Sequence, residues 1–424
     1  MKILVVGGGA REHAIVWKCR QSKLVDRIFC APGNTGIGQI AKCVDIAADD
    51  IEGLVAFAND YEIDLTIVGP EMPLINGIAD RFEEEGLLIF GPSKDAACIE
   101  GSKVFGKNVL DTCGLSHATA PYRLFSNPKI AREYIREHSM PLVIKANGLA
   151  SGKGVVVAKS TEEGMRAVDE LMAQDSGRLL LIEECLEGWE CSFTILTDGR
   201  NMMPFPVSRD YKQDLYGNNT GGMGAYSPVA TLSQEHHDEI LGYIRRVLDF
   251  LRDMGRPYKG FLYPGIMITE DGPKFLEFNC RLGDPEAQVL LPRMRADFAE
   301  LCYFAAKGNL SEISGVSWRG EAVVNVVMAS PGYPGEYENG LRIYGTKRAR
   351  EEGARIFHGG TKRNKQGQLI SDGGRVLSVV QTGETLEEAR DKAYRAVRRI
   401  SFGNKNSTKG RQWYRSDIAA NTAP

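Results

Sequence analysis

Nowhere in its 424 residues does this sequence offer an apolar stretch approaching the roughly 18 residues that a membrane span needs. The apolar run in "MKILVVGGGAREHA" is also too short for a secretory signal. Its nine cysteines are scattered, with no C-x-x-C pair and no metal-ligand spacing, which speaks for reduced thiols and against a disulfide framework or a structural zinc. Charge of neither sign dominates: 52 basic residues against 55 acidic ones leave a net charge of −3, no footprint for nucleic acid or a membrane surface. Internal repeats and low-complexity tracts are missing too. These absences predict a cytoplasmic globular protein with no nucleic-acid or membrane partner.

Glycine, by contrast, is abundant. Its 47 copies make up about 11% of the chain against a usual figure of roughly 7%, and they gather where backbone must approach something closely. In the first hundred residues, strands "KILVV", "RIFCA", "DLTIVG" and "LLIFG" alternate with helices "REHAIVWKCRQS", "IEGLVAFANDY" and "IADRFEEEG". That order predicts a doubly wound parallel sheet whose ligands sit at the carboxyl ends of the strands. Dinucleotide binding is excluded on two counts. Glu12 stands where the third glycine of G-x-G-x-x-G belongs, and the second strand ends in Ala31-Pro32 with no acidic residue for a ribose diol.

Further on, "NGLASGKGVVV" has the composition of a phosphate loop but not the Walker spacing, and β-branched Val155 to Val157 follow it where a helix would have to start. It reads as strand, glycine loop, strand, with a tip whose free N–H groups can fold over an anion. In "KFLEFNCRLGDPE", alternation puts Phe275, Glu277 and Asn279 on one face of a strand. A carboxylate and an amide oxygen in that arrangement suit Mg2+, which also takes phosphate oxygens. "LLLIEECLEGWECSF" is an apolar strand followed by Glu184, Glu187 and Glu190, able to hold adenine through backbone and ribose through a side chain. Lys103 in "GSKVF" and Lys145 in "LVIK" would each pass as a surface lysine alone; with the glycine hairpin and the Glu/Asn pair they make an ATP site. Near the C-terminus, strands "EAVVNVVMA" and "RVLSVVQ" precede a helix whose start, Thr385 with Glu388, has the form of a capping box.

The order of Lys103, Lys145, the glycine loop, "IEECLEGWE" and "EFNCR" resembles the ATP-grasp superfamily. More closely, "GGGAREHA", "APGN", "IVGPE", "IFGPS", "NTGGMGAYSP", "EFNCRLGDPEAQ" and "GGRVL" resemble the glycinamide ribonucleotide synthetase family over essentially the whole chain. The resemblance implies an α/β fold of ATP-grasp architecture: an N-terminal doubly wound domain over 1–102, a two-lobed ATP-grasp core over 103–308 with a mobile lid at about 121–186, and a small α+β domain over 309–424. It implies an ATP-dependent ligase of de novo purine biosynthesis, joining glycine to 5-phosphoribosylamine through glycyl phosphate, in a monomer or weak homodimer. A diverged ligase using another amino acid or amine is the alternative.

By position, Glu277 and Asn279 would hold Mg2+ or Mn2+, and Lys103 and Lys145 the ATP phosphates. Gly148, Ser151, Gly152, Lys153 and Gly154 would form the loop over those phosphates. Glu183, Glu184 and Leu186 would make the adenine hinge, and Glu190 would take the ribose. Arg281 would meet the glycine carboxylate and its acyl phosphate. Gly9, Asn34, Glu71, Thr361 and Arg375 would serve the phosphoribosylamine, with Asn219, Gly222 and Asp284 also on the substrate side. One departure stands out: "DYKQDLYGNN", before "NTGGMG", lacks the Arg and Pro usual in the family's loop.

Overall fold

The protein is described from a computed structural model. The structure describes residues 1–148, 154–174, 178–403 and 411–420.

Apolar, β-branched runs bounded by glycine build the first sheet. Its strands Lys42–Cys43, Arg27–Pro32, Lys2–Gly7, Leu65–Val68 and Ile89–Phe90 lie in that spatial order, all parallel. Helix Ala10–Cys19 and helix Ile51–Asp60 follow the first and third of these in chain order, as the alternation of patterns requires. The strand order reverses beside Lys2–Gly7, so the crevice of a doubly wound sheet opens over Gly7 to Gly9.

A small antiparallel sheet follows, in the order Tyr122–Phe125, Leu180–Glu184, Leu142–Ala146 and Val155–Ala158. Its own core of Phe125, Ile135, Ile144, Val168 and Ile182 sits under helices Pro128–Glu137 and Thr161–Met172. The strand, glycine loop, strand reading of "VIKANGLASGKGVVV" is borne out at both arms, since Lys145 pairs with Val155 and Ala146 N donates to Gly154 O at 2.8 Å. The tip at 149–153, with the expected contacts Ser151, Gly152 and Lys153, lies outside the described residues.

A larger antiparallel sheet is built around the long strand Lys259–Thr269, which pairs with Trp189–Ser192, Ile195–Asp198 and Gly272–Asn279. The last pairing carries a bulge: Gly265 faces Glu277 but Ile266 faces Phe275, leaving Leu276 as the extra residue. This corrects the sequence reading of that strand. Past the bulge the alternation flips, and Phe275 packs on Phe278 with ring centroids 5.0 Å apart, away from the Glu277 side.

The C-terminal sheet runs Arg209–Asp210, Gly224–Ser227, Ala322–Ala329, Arg375–Gly383 and Arg355–His358. Two of its strands thus come from the polar-loop region before residue 309. Strand Ala322–Ala329 is buried at every position because helix Leu386–Val397 packs against it, as does helix Ala287–Arg293; that is why it reads as one unbroken apolar run. Thr385 caps the later helix by accepting from Glu388 N at 3.1 Å. This sheet docks on the first domain through two buried histidines: His358 N donates to His13 Nδ1 at 2.9 Å, and the rings stand 5.6 Å apart.

Candidate active site

The lysines are placed by backbone. Ser102 caps helix Lys103–Thr112, accepting from Phe105 N at 3.1 Å, and Asn147 ties that start to the glycine hairpin by accepting from Val104 N at 2.9 Å. Lys103 Nζ then reaches Gly148 O at 3.0 Å. Lys145 points from the small sheet to the larger one, donating to Leu276 O at 3.1 Å, the carbonyl of the bulged residue. Its ammonium also pairs with buried Glu183 at 2.8 Å.

The other oxygen of Glu183 lies 3.2 Å from Lys107, a lysine that no motif in its neighbourhood singles out. Glu183 therefore faces inward between two lysines, while the next residue, Glu184, is exposed and donates its N–H to Pro121 O at 3.1 Å. Leu186 follows, and Glu190 lies beyond it in strand Trp189–Ser192, which belongs to the larger sheet that carries Glu277.

Opposite the lysines stand Glu277 and Asn279. Burial works to raise the Glu277 carboxyl, but Lys212, Lys145 and Lys103 outweigh it and hold the group down to about 2, so it is ionised at any working pH. Asn279 Nδ2 donates to Tyr263 O at 3.3 Å, which leaves its oxygen as the atom available to a cation. An ionised carboxylate beside an amide oxygen is a hard-ligand pair that fits Mg2+ with phosphate and water completing its shell. Among the described residues no group of three or more His, Cys, Asp or Glu side chains could hold a metal by itself. Lys212, also missed in the sequence, is ion-paired to Glu190 and lies 3.4 Å from Glu277. Its only signal was position, two residues after Asp210 in the polar loop.

The chain continues from Asn279 into a second, connected set of residues. Arg281 pairs with Glu71 at 2.9 Å and Glu100 at 3.7 Å, and Glu100 takes Cys280 N at 2.6 Å. Burial again pushes the Glu71 carboxyl up, and Arg281 and Arg11 pull it down to about 2. Beyond lies a cavity of about 240 Å³, with Gly8, Gly9, Asp284, Gly360 and Arg375 in its wall. Arg375 Nη2 meets Asp284 Oδ2 at 3.2 Å, and its Nη1 donates to Asp284 O at 2.6 Å and to Gly221 O, pinning the "NTGG" loop. Gly222 abuts this joint with φ at +101°, where an added Cβ would come within 2.4 Å of Pro285.

Three expected substrate contacts lie differently. Asn34 has its whole side chain engaged: Nδ2 donates to Gly8 O at 2.8 Å and His358 O at 2.6 Å, and Oδ1 accepts from Gly36 N and Ile37 N. Thr361 is buried against His358 Nδ1 at 3.1 Å. Asn219 reaches the small antiparallel sheet, donating to Val155 O at 3.0 Å. The start of helix Ala10–Cys19 is filled from within: Glu12 accepts from Gly9 N at 2.6 Å and from Arg11 Nε at 2.6 Å.

Family models match the chain in three successive pieces: the N domain of phosphoribosylglycinamide synthetase over residues 1–100, its ATP-grasp (A) domain over 101–287 and its C domain over 323–421. The chain belongs to the phosphoribosylglycinamide synthetase family. Among its relatives, the phosphoribosylamine-glycine ligase of Caldanaerobacter subterraneus subsp. tengcongensis is 44% identical over 99% of this chain and 100% of its own length. That of Yersinia pestis is 43% identical, covering 95% and 96%. The crystal structure of the Thermotoga maritima phosphoribosylamine-glycine ligase superposes with a TM-score of 0.83 at 32% identity, over 99% of this chain and 100% of that one. The biotin carboxylase domain of the Hydrogenobacter thermophilus 2-oxoglutarate carboxylase, solved with MgADP, shares the fold at a TM-score of 0.73 and 18% identity, over 95% and 90%. The expected ATP-grasp architecture of a phosphoribosylglycinamide synthetase is thereby borne out. Among the described residues, no helix is long and apolar enough to cross a membrane.

Proposed function

We propose that this protein uses ATP to join glycine to 5-phosphoribosylamine, giving glycinamide ribonucleotide, ADP and phosphate. The observation that carries the reading is one short segment, Glu277 to Asp284, which runs from the lysine-lined cleft past Arg281 to the cavity walled by Arg375. A carboxylate activated at one end can be delivered to an amine held at the other without leaving the protein.

Lys103 and Lys145 face the triphosphate from helix and lid, and neutralise charge on the transferred phosphoryl group. Glu183 to Leu186 make the adenine hinge, and Glu190 takes the ribose. Glu277 and Asn279 would hold Mg2+ or Mn2+, which would supply charge neutralisation for phosphoryl transfer. Arg281 orients the glycine carboxylate, whose oxygen attacks the γ-phosphorus as ADP leaves. The amine nitrogen then attacks the glycyl carbonyl carbon, the C–O bond to phosphate breaks, and the nitrogen loses a proton. Glu71, held ionised beside Arg281, keeps that guanidinium aligned and stands at the border of the two half-reactions. Gly9, Asp284 and Arg375 receive the phosphoribosylamine, with Gly222 and Asn219 shaping its edge, while Asn34 and Thr361 fix the wall behind it. A division at 1–102, 103–308 and 309–424 describes the three functional parts, with Arg209–Asp210 and Gly224–Ser227 reaching over into the third.

The test is ADP release with ATP, Mg2+ and freshly generated phosphoribosylamine, with glycine and then alanine as the acid. Glycine is expected to support turnover and alanine not; equal rates would move the protein to a ligase of different acid specificity. Glu277→Gln is expected to lower turnover about a thousandfold or more, since the metal provides several kcal/mol of transition-state stabilisation.

A further inference from the structure

Lys212 has no part in the roles assigned above, yet it occupies the middle of the nucleotide cleft. Its ammonium is ion-paired to Glu190, the ribose residue, and lies 3.4 Å from Oε1 of Glu277, the metal residue. The three side chains converge over Gly265. The Cβ position there stands 3.4 Å from Glu277 Cγ, 3.5 Å from Glu190 Oε1 and 3.7 Å from Lys212 Nζ, ordinary contact distances that mark one point on which all three side chains close. More acid lies behind them: Glu286 Oε1 accepts from Tyr263 OH at 2.6 Å and from Ser192 Oγ at 3.1 Å, and Ser192 Oγ sits 3.5 Å from Asp210. The backbone around Lys212 is fixed, because Tyr211 N donates to Gly224 O at 2.9 Å and Thr220 N to Lys212 O at 2.7 Å. Any movement of the ammonium is therefore a rotation of its own side chain.

We propose that Lys212 is a place-holding cation: without nucleotide it neutralises the metal and ribose carboxylates together, and it must withdraw before the divalent ion and nucleotide can settle. The inference rests on the assignment of Glu277 to the metal and Glu190 to the ribose. Its consequence is coupling. A divalent ion arriving alone has to compete with a tethered ammonium for Glu277 while Glu190 still anchors that ammonium nearby. A nucleotide whose ribose hydroxyls engage Glu190 loosens the anchor, and metal binding then becomes favourable. Metal and nucleotide thus admit each other, which keeps the cleft from filling with metal alone.

The experiment is Mn2+ binding to the full chain, read from the free-ion paramagnetic resonance signal, with and without ADP. Wild type is expected to bind Mn2+ weakly alone and more tightly with ADP. Lys212→Met is expected to tighten nucleotide-free Mn2+ binding at least tenfold and to shrink the gain from ADP, while Lys212→Arg stays near wild type. Tenfold is a conservative reading of one unit charge removed from within about 5 Å of a divalent ion at an effective dielectric near 20. Should Lys212→Met fold poorly, the double variant Lys212→Met/Glu190→Gln keeps the charge sum and is expected to show the same gain at Glu277. Nucleotide-free affinity that is unchanged or weaker in the folded variant overturns the inference. Glu277→Gln distinguishes failure of the metal assignment from failure of the place-holder. If it leaves Mn2+ binding with ADP intact, the metal assignment fails and the inference with it; if it abolishes that binding while Lys212→Met has no effect, the inference alone fails.

Discussion

Replacing Lys107 by methionine removes one of two ammonium groups that meet the buried Glu183 carboxylate, whose side chain is only 3% exposed. Lys107 Nζ donates to Thr119 Oγ1 at 2.7 Å and lies 3.2 Å from Glu183 Oε1, in ion-pair range though not aligned as a hydrogen bond. At that separation and an effective dielectric near 20, the attraction is about 5 kcal/mol as an upper figure. Methionine recovers part of this by sparing the lysine's desolvation, and Glu183 keeps Lys145 at 2.8 Å. The net loss should therefore be about 2–3 kcal/mol, below the ~3–5 kcal/mol seen when a buried charge loses its last partner. Glu183→Gln alone leaves two lysines facing each other, so Lys107→Met/Glu183→Gln should cost less than the sum of the single changes by at least about 1 kcal/mol. The assay is thermal unfolding of the four proteins, with hydrogen exchange along Leu180–Glu184 to localise the effect to the small antiparallel sheet. A loss under about 0.5 kcal/mol for Lys107→Met, or strictly additive losses around the cycle, would refute the reasoning.

Other outcomes follow from the same geometry. Burial first, then His358 and Arg350, pull His13 down to about 3, and burial with Arg350 and Arg363 does the same to His358. The unfolded chain binds the extra protons below its ordinary value near 6.5, so stability is full above that pH and falls as pH drops toward 3. The loss is about 1.4 kcal/mol per histidine by pH 5.5. Melting temperatures from pH 8 to 5 should fall less steeply in His13→Gln than in wild type, and parallel curves would remove the histidine pair as the cause. Arg375→Met should raise the phosphoribosylamine requirement more than tenfold with the ATP requirement unchanged, because a charge-assisted hydrogen bond is worth roughly 1.5–3 kcal/mol. An unaltered amine titration would move the phosphate site off the Arg375 wall.

The parts of this protein that were legible in its sequence are those where one local pattern decides the outcome. The parallel sheet followed from apolar runs alternating with amphipathic stretches, and the glycine hairpin from β-branched residues on both sides of it. Where two distant segments decide together, the sequence was silent. The bulge at Leu276 depends on what Lys259–Thr269 places opposite it, so simple alternation put Phe275 on the wrong side. Lys107 lies inside a helix, where a lysine ordinarily faces water; only folding brings Glu183 to it. Asn34 has the chemistry of a substrate contact, but every polar atom of its side chain is engaged by backbone, part of it from His358 more than three hundred residues away. Two strands of the C-terminal sheet come from a region that reads as a polar loop: Gly224–Ser227 pairs with Ala322–Ala329 and Arg209–Asp210 with Gly224–Ser227, and that pairing supplies what their short sequences do not.

Glu12 carries a consequence for ligand design. A Cβ at Gly7, Gly9 or Gly69 would come within 2.6, 2.8 or 2.1 Å of its side chain, so three glycines are moulded to one carboxylate. With the Gly9 N–H and Arg11 already bound, the positive end of the first helix is satisfied by an anion belonging to the chain itself. This sheet keeps the outline of a dinucleotide binder with its pyrophosphate seat permanently filled. Anionic inhibitors that mimic dinucleotides would find that seat already occupied by a carboxylate, with Arg11 and the Gly9 N–H engaged by it. Compounds aimed at the neighbouring cavity, which Gly8 and Gly9 also wall, would find open space beside an arginine, Arg375, that is already ion-paired to Asp284.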